Sequence, residues 1–487
     1  MATRRIVLLA LVMAALARPA AAQLYQADFP PEEFRARWQK VFDRIGTDAV
    51  AVVQGASLTN GFIVPRQSNT FYYLCGIETP GAYLLLDGRT RRVTLFLPPR
   101  DERLERSEGK VLSAADADTV RGVTGVDEVR DTGAMSERDW PVGTARAAAI
   151  HAEFTPAEGY AQSRYELVAA DAAVATDYWD GRTPRHTRFV ELLRARHPRV
   201  EVRDLTPILD DLRSVKSPRE IALIRRASQL AGLGILEAIK ASEAGVYEYQ
   251  LDATARYVFQ VNGARLDAYR SITASGVENI NNGHYWRNTR RLEDGDLVLM
   301  DYAPDYRYYV SDVTRMWPVS GRFLPWQREL LQFVLTYRNA VLARIRPGRT
   351  VEEILADVRE AMAPVLASTA FSKPIYEQAA RKLVETGGGV FSHPVGLTVH
   401  DDGSYRRGPL QPGHVFSIDP QLWVPEEKLY IRYEDTVAVT DTDVENFTEF
   451  LPTELADLEA LAREKGIVQA APATPPDRLP RLPRASR

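Results

Sequence analysis

The chain has 487 residues, 65 acidic against 61 basic side chains, 45% hydrophobic residues and a single cysteine. That length is ample for two domains with a sizeable core, and the mildly acidic balance offers neither a basic stripe for nucleic acid nor a charged patch for a membrane surface. Cys75, standing alone, forms no internal disulfide, so stability has to come from packing.

At the amino terminus Arg4 and Arg5 precede an apolar stretch from Ile6 to Ala17, and Ala20-Ala-Ala22 supplies small residues before Gln23. This reads as a secretory signal peptide over residues 1–22, cleaved after Ala22, and predicts a secreted or periplasmic protein. Thr3-Arg-Arg5 is similar to a twin-arginine signal, the alternative export route. No later stretch approaches ~20 uninterrupted apolar residues, which argues against stable membrane insertion.

Residues 23–203 alternate helical and strand patterns. Pro31 to Phe42 reads as an amphipathic helix; Asp48–Val53, Ala82–Leu86 and Val93–Leu97 read as strands. Phe71-Tyr-Tyr-Leu-Cys-Gly76 also reads as a buried strand, with Cys75 an inert core thiol. The Arg-, His- and Pro-containing stretch Glu191–Arg203 marks a boundary.

Beyond it, Ser217-Pro-Arg-Glu220 combines a Ser cap, Pro at the first helical position and Glu three residues on, ahead of Ile221, Leu223, Ile224 and Ala227. A long helix opens a second domain there, residues 204–467, which includes a helix from Val351 to Met362 and ends in one from about Thr453 to Lys465. Residues 468–487 are rich in Pro and Arg with little to pack, and read as a disordered tail. The fold class is α/β (α+β).

The chemistry concentrates in two hairpins. Asp296–Asp301 and Tyr308–Trp317 read as strands around the turn Ala303–Arg307; a hairpin centred between Tyr306 and Arg307 sets Asp301 opposite Asp312. His414–Val424 and Leu429–Val439 flank Pro425–Lys428 and set Asp419 opposite Glu434. Like charges facing each other on neighbouring strands are destabilising, and two such pairs on apolar strands ask for a cation. A single buried acid is more often a cap or a salt-bridge partner, with Arg315 and Arg432 the obvious candidates here. Two acid pairs with His393 between them favour a divalent ion of the Mn, Co, Zn or Fe type, and a bridged pair can hold two, which together activate water. His284, in Gly276–Tyr285, and His400, seven residues after His393, are placed to handle substrate and protons.

These motifs resemble the pita-bread metallopeptidases, specifically aminopeptidase P and its prolidase relatives, over most of the chain. The resemblance runs through Arg66–Gly76 and Leu97–Asp101, then Ser275–Asn279, His284-Tyr285, Gly295–Asp301, Ser311–Arg315, Gly396–Asp401 and Ile431–Thr436. It implies an aminopeptidase P-like amino-terminal domain followed by a pita-bread catalytic domain. It also implies a centre of two divalent ions, manganese first with cobalt or zinc as alternatives, ligated by Asp301, Asp312, His393, Asp419 and Glu434. By the same resemblance His284 and His400 bind and polarise the scissile carbonyl, Asp419 carries the proton, Arg432 orders the ligands from behind, Trp423 stands where a tyrosine is common, and a homodimer or homotetramer is expected.

Several positions depart from the family pattern. Ile418-Asp419-Pro-Gln421 stands where the family has Ile-Glu-Pro-Gly, Gly389 where a proton-shuttling histidine is frequent, and Asp301-Tyr-Ala-Pro304 where Asp-Ala-Gly is usual. Aspartate keeps the charge at 419 but shortens its reach by one methylene. The expected activity is removal of the amino-terminal residue from peptides with proline second. The alternatives are an Xaa-Pro dipeptidase (prolidase) and a peptide-binding pseudoenzyme that has lost hydrolysis.

Overall fold

The computed structural model describes residues 26–58, 62–135, 147–160 and 163–471. The signal-peptide reading of residues 1–22 and residues 472–487 of the expected 468–487 tail lie outside them; the start of that tail is instead ordered, Ile467–Ala470 forming a short helix with Gln469 Nε2 donating to Ala241 O at 2.9 Å. Two compact units emerge: residues up to Glu153 with Val190–Leu205, and Phe154–Phe189 with the chain from Thr206 onward.

In the first unit α1 (Pro31–Ile45) forms where its pattern predicts, with Pro at its first position, Glu32 and Glu33 in its first turn, and Phe34, Trp38, Val41, Phe42 and Ile45 buried. Six strands, β1 (Ala49–Gln54), β2 (Tyr83–Asp87), β3 (Arg92–Leu97), β4 (Glu128–Asp131), β5 (Ala149–Ala152) and β6 (Glu201–Asp204), make one sheet in the order β4-β3-β2-β1-β5-β6. β2 runs antiparallel to both neighbours and the remaining pairs are parallel.

The strand expected over Phe71–Gly76 is instead a helix, α2 (Asn69–Cys75), every residue of which is buried. An aromatic run with no polar face satisfies a buried strand and a buried helix equally. What decides is Gly76, whose left-handed φ of 66° lets its N–H close back on Tyr72 O at 2.7 Å. Burial pushes the Cys75 thiol up to about 12, which makes it the inert core group expected.

The second unit begins with α3 (Arg164–Thr176) and α4 (Thr206–Ser214), followed by α5 (Pro218–Lys240) and α6 (Glu248–Val261). The cap read from sequence holds α5: Ser217 Oγ accepts from Glu220 N at 3.3 Å and Glu220 Oε2 from Ser217 N at 2.9 Å. Then come β7 (Leu266–Asp267), β8 (Ile272–Ser275), β9 (Leu297–Asp301), β10 (Pro304–Asp305) and β11 (Thr314–Pro318). Helices α7 (Pro325–Leu342), α8 (Val351–Ser368) and α9 (Pro374–Thr386) precede β12 (Val415–Ile418), β13 (Gln421–Val424), β14 (Leu429–Arg432), β15 (Asp435–Val439) and β16 (Val444–Asn446). Within Thr453–Lys465 the helix is shorter than expected, Leu455–Leu461.

Both hairpins form, one with a corrected register. In the first, Asp301 pairs with Thr314, not Asp312. The turn lies one residue later than expected, because Arg307 and Tyr308 take φ of 55° and 75° and Tyr306 bridges Tyr309. Two consecutive left-handed residues make the tight hairpin turn whose twist suits the strands, and no Asn-Gly signal announced it. The slip is two residues, and side chains alternate faces, so Asp312 stays on the face of Asp301 as its diagonal neighbour.

The second hairpin keeps the expected register, but its pairing splits between two sheets: β12 pairs β15 from Ile418↔Asp435, and β13 pairs β14 from Gln421↔Arg432. Asp419 and Glu434 fall at the break between these ladders. There Glu434 pairs through its backbone with Thr314, which joins the two hairpins.

Substituting Gly76 by alanine should destabilise the first unit by about 1–3 kcal/mol, through a strained φ and overpacking. The added Cβ would lie 2.8 Å from both Phe34 Cζ and Gln26 Cγ. Denaturant midpoints of the two proteins measure the difference, and equal midpoints would refute the assigned role.

Candidate metal centre

Four acids meet where the hairpins join. Asp301 ends β9, Asp312 lies just before β11, Glu434 follows β14 and Asp419 follows β12; each is at most 3% exposed. One ligand oxygen from each of Asp301, Asp312 and Glu434 lies within 4.8 Å of the others, and Asp312 makes a second such group with His393 and His400.

Arg432 ties the acids together. It ends β14 on the same face as Glu434, and its Nε donates to Asp419 Oδ1 at 2.7 Å, its Nη1 to Asp301 Oδ2 at 2.7 Å and its Nη2 to Glu434 Oε2. The Tyr269 hydroxyl lies 2.6 Å from Asp301 Oδ1 and 3.0 Å from Asp312 Oδ1. Thr314 Oγ1 donates to Glu434 Oε2 at 2.9 Å, and Ser417 Oγ to Glu434 Oε1. Arg315, the other arginine weighed as a partner, is taken by Asp435 at 2.7 Å and stacks over Tyr433.

One guanidinium among four buried carboxylates leaves the set short of positive charge. Burial, with repulsion from Glu434 and Asp301, pushes Asp312 well above the carboxylate range. Burial chiefly, opposed by Arg432, takes Glu434 to about 8 and Asp419 to about 6. His393 is driven down to about 3 by burial and by His400, so it is neutral. Its Nδ1 donates to Pro394 O at 3.2 Å, which leaves the Nε2 lone pair turned to Asp312 Oδ2, 3.3 Å away. Carboxylate oxygens plus a neutral imidazole with a fixed tautomer are the donor set of a divalent ion, and the missing charge is what that ion brings.

Beside the cluster opens a cavity of about 560 Å³, lined among others by His284, His400, Asp419, Gln421 and Trp423. Burial and His284 lower His400 to about 4. Trp423 stacks on Tyr430 with ring centroids 3.8 Å apart. The substitution at Tyr302 lies off the site: its hydroxyl donates to Asp267 at 2.8 Å.

The other two departures prove to be one feature. Gly389, at φ 76°, accepts from Asp419 N at 3.2 Å, and a Cβ there would stand 2.0 Å from Asp419 O and 2.8 Å from Gln421 Cγ. The Gln421 side chain covers that glycine and its Nε2 donates to Asp419 Oδ2. Asp419 is thus held through both oxygens, by Arg432 and by Gln421.

Sequence reading missed Tyr269, Gln421 and Tyr165, which lies 2.9 Å from His400 Nδ1. Gln421 was findable, since two residues after Asp419 a strand presents the same face. The two tyrosines reach the site from distant loops and helices, and no local spacing signals them.

The family model for Metallopeptidase family M24 matches residues 222–441, and that for the aminopeptidase P amino-terminal domain matches residues 34–138. The chain is 28% identical over 459 residues to an Xaa-Pro aminopeptidase of Haemophilus influenzae, covering 90% of this chain and 98% of the relative. It is 30% identical over 418 residues to Xaa-Pro aminopeptidase 3 of Mus musculus, covering 81% and 76% respectively. Among solved structures, aminopeptidase P from Escherichia coli with the inhibitor Pro-Leu superposes with a TM-score of 0.71 at 26% identity, covering 90% of this chain and 99% of that one.

The charge shortage gives a pH dependence. An acid whose pKa is higher in the folded than the unfolded state binds its proton more tightly when folded, so it favours folding at low pH and loses that contribution as pH rises. For Glu434 the window runs from 4.5 to about 8. Chelator-treated protein should therefore melt at a lower temperature near pH 8 than near pH 5, and added Mn, Co or Zn should restore most near pH 8. A metal-free melting temperature that rises across this window would contradict the charge argument.

Proposed function

The chain belongs to metallopeptidase family M24, in its aminopeptidase P branch, and we propose that it removes the amino-terminal residue from peptides with proline in second position. The observation that carries this reading is a pair of ligand groups sharing Asp312, one with Asp301 and Glu434 and one with His393 and His400, beside a cavity that His284 and His400 line. Asp301, Asp312, His393, Asp419 and Glu434 are the residues to hold two divalent ions, with manganese the first candidate and cobalt or zinc the alternatives. When bound, the ions supply Lewis-acid activation of water and of the peptide carbonyl.

The chain's own residues supply the rest. Arg432 and Tyr269 fix the acids before any ligand arrives, which spares reorganisation during the reaction. His284 and His400 line the cavity, where their imidazole N–H groups are the hydrogen-bond donors for the carbonyl oxygen. Asp419 faces the same cavity and is the group to take a proton and return it to the leaving nitrogen.

One observation favours an aminopeptidase over a dipeptidase. Dipeptide specificity calls for a cation to receive the substrate's terminal carboxylate. The two arginines lining the cavity are both engaged, Arg432 by the acids above and Arg164 by Glu158, Asp210 and Asp402. The retained acid cluster argues likewise against a pseudoenzyme, since four buried carboxylates with only one guanidinium among them are destabilising unless a metal supplies the missing charge.

Metal-loaded protein should release the first residue of an Xaa-Pro-Xaa tripeptide with kcat/KM at least tenfold above that for an Xaa-Pro dipeptide. Replacing Asp312 with alanine should strip metal, measured by elemental analysis, and lower kcat/KM by more than about 100-fold. His400→Ala should keep its metal. Full occupancy in Asp312→Ala would sink the ligand assignment, and hydrolysis of the dipeptide alone would move the reading to prolidase.

Asp419 tests the rebuilt corner. Because Gln421 and Gly389 pack against it, the longer Asp419→Glu side chain should be crowded and lose roughly tenfold in kcat. Adding Gln421→Gly should recover part of the loss, a coupling that a double-mutant cycle reads directly. Additive effects of the two changes would show that Gln421 and Asp419 act independently.

A further inference from the structure

His400 is held by a helix whose first turn lines the same cavity through Arg164 and Tyr165, and whose tyrosine the function so far has not used. Among the described residues of α3 only Arg164, its first, is buried. Arg164 fastens the helix to the loop after His400, through Asp402 at 3.0 Å, and to Glu158 at 2.6 Å. Glu158 in turn meets Arg213 at 3.0 Å, which grips Asp401 beside Lys216. The two residues that follow His400 are therefore both anchored in one buried charge network, and that network also fixes the first turn of α3.

The next residue of that turn is Tyr165. Its ring lies over the His400 ring with centroids 5.6 Å apart and planes 23° from parallel, while His393 packs edge-on 4.2 Å away. The Tyr165 hydroxyl stands 2.9 Å from His400 Nδ1. Of the two tautomeric readings of this contact, chemistry favours one. A phenol is a better proton donor than an imidazole N–H, and an imidazole nitrogen is a far better acceptor than a phenol oxygen.

We propose that Tyr165 is a positioning residue: it donates to His400 Nδ1, fixes the proton of the neutral imidazole on Nε2, and so presents that N–H as the donor to the carbonyl oxygen of the bond being cleaved. The nitrogen left over for the cavity is then a donor in every molecule rather than in a fraction of them. The role of the donor rests on the aminopeptidase reading, but the tautomer does not.

The test joins a spectroscopic and a kinetic arm, on protein loaded with diamagnetic zinc. With seven histidines in the chain, two-bond proton–nitrogen correlations of 15N-histidine-labelled protein, assigned with His400→Asn, report which ring nitrogen carries the proton. Wild type should show the proton on Nε2; Tyr165→Phe, which keeps the ring stack and loses the hydroxyl, should show mixed tautomers. In the same variant kcat for an Xaa-Pro-Xaa tripeptide should fall roughly tenfold with KM nearly unchanged, and Tyr165→Leu should fall at least as far. A wild-type proton on Nδ1, an unchanged tautomer in Tyr165→Phe, or a changed tautomer with unchanged kcat would each overturn the proposal. Should the wild type hydrolyse no Xaa-Pro peptide, the functional reading fails, and the nitrogen spectra still decide the tautomer.

Discussion

Three buried carboxylates share one guanidinium, and much of the second unit is arranged to make that possible. Arg432 reaches Asp301, Asp419 and Glu434 only because two hairpins meet edge to edge at Thr314 and Glu434, where one of them splits its pairing between two sheets. Removing one partner from a buried ionic group strands the others, at a cost of several kcal/mol. The arginine thus makes a folded, ion-free protein tolerable while leaving the acids one or more positive charges short. Readiness for metal and tolerance of its absence come from the same side chain.

Much of this was legible in sequence because strands have a period of two. The register of the second hairpin was readable from its apolar runs and short loop. The first was displaced by two residues because the left-handed turn at Arg307 and Tyr308 carries no Gly or Asn, yet an even slip preserves faces, so the acids still converge. The cap of α5 was readable residue by residue at Ser217 and Glu220. The run at Phe71 was misread because uniform burial erases the periodicity that separates helix from strand.

What sequence could not convey is contact between distant segments. Asp419 in place of glutamate, Gly389 in place of histidine and Gln421 in place of glycine look like three separate losses when read along the chain. In three dimensions the missing Cβ at Gly389 admits the Gln421 side chain, and that amide takes hold of the shorter acid. The corner has changed as a unit, which is why substitutions there are expected to couple.

The excursion of residues 154–189 has a consequence for how the protein can be cut. The chain leaves the first unit after β5, contributes α3 to the second, returns to lay down β6 and leaves again at Thr206. The backbone crosses between units three times, so neither unit corresponds to one uninterrupted stretch of polypeptide. A fragment starting at Thr206 carries all the acids and His393, but lacks Glu158, Arg164 and Tyr165 and therefore the support behind His400. Dissection of this molecule into halves by a single cleavage would leave the first half holding a piece of the second.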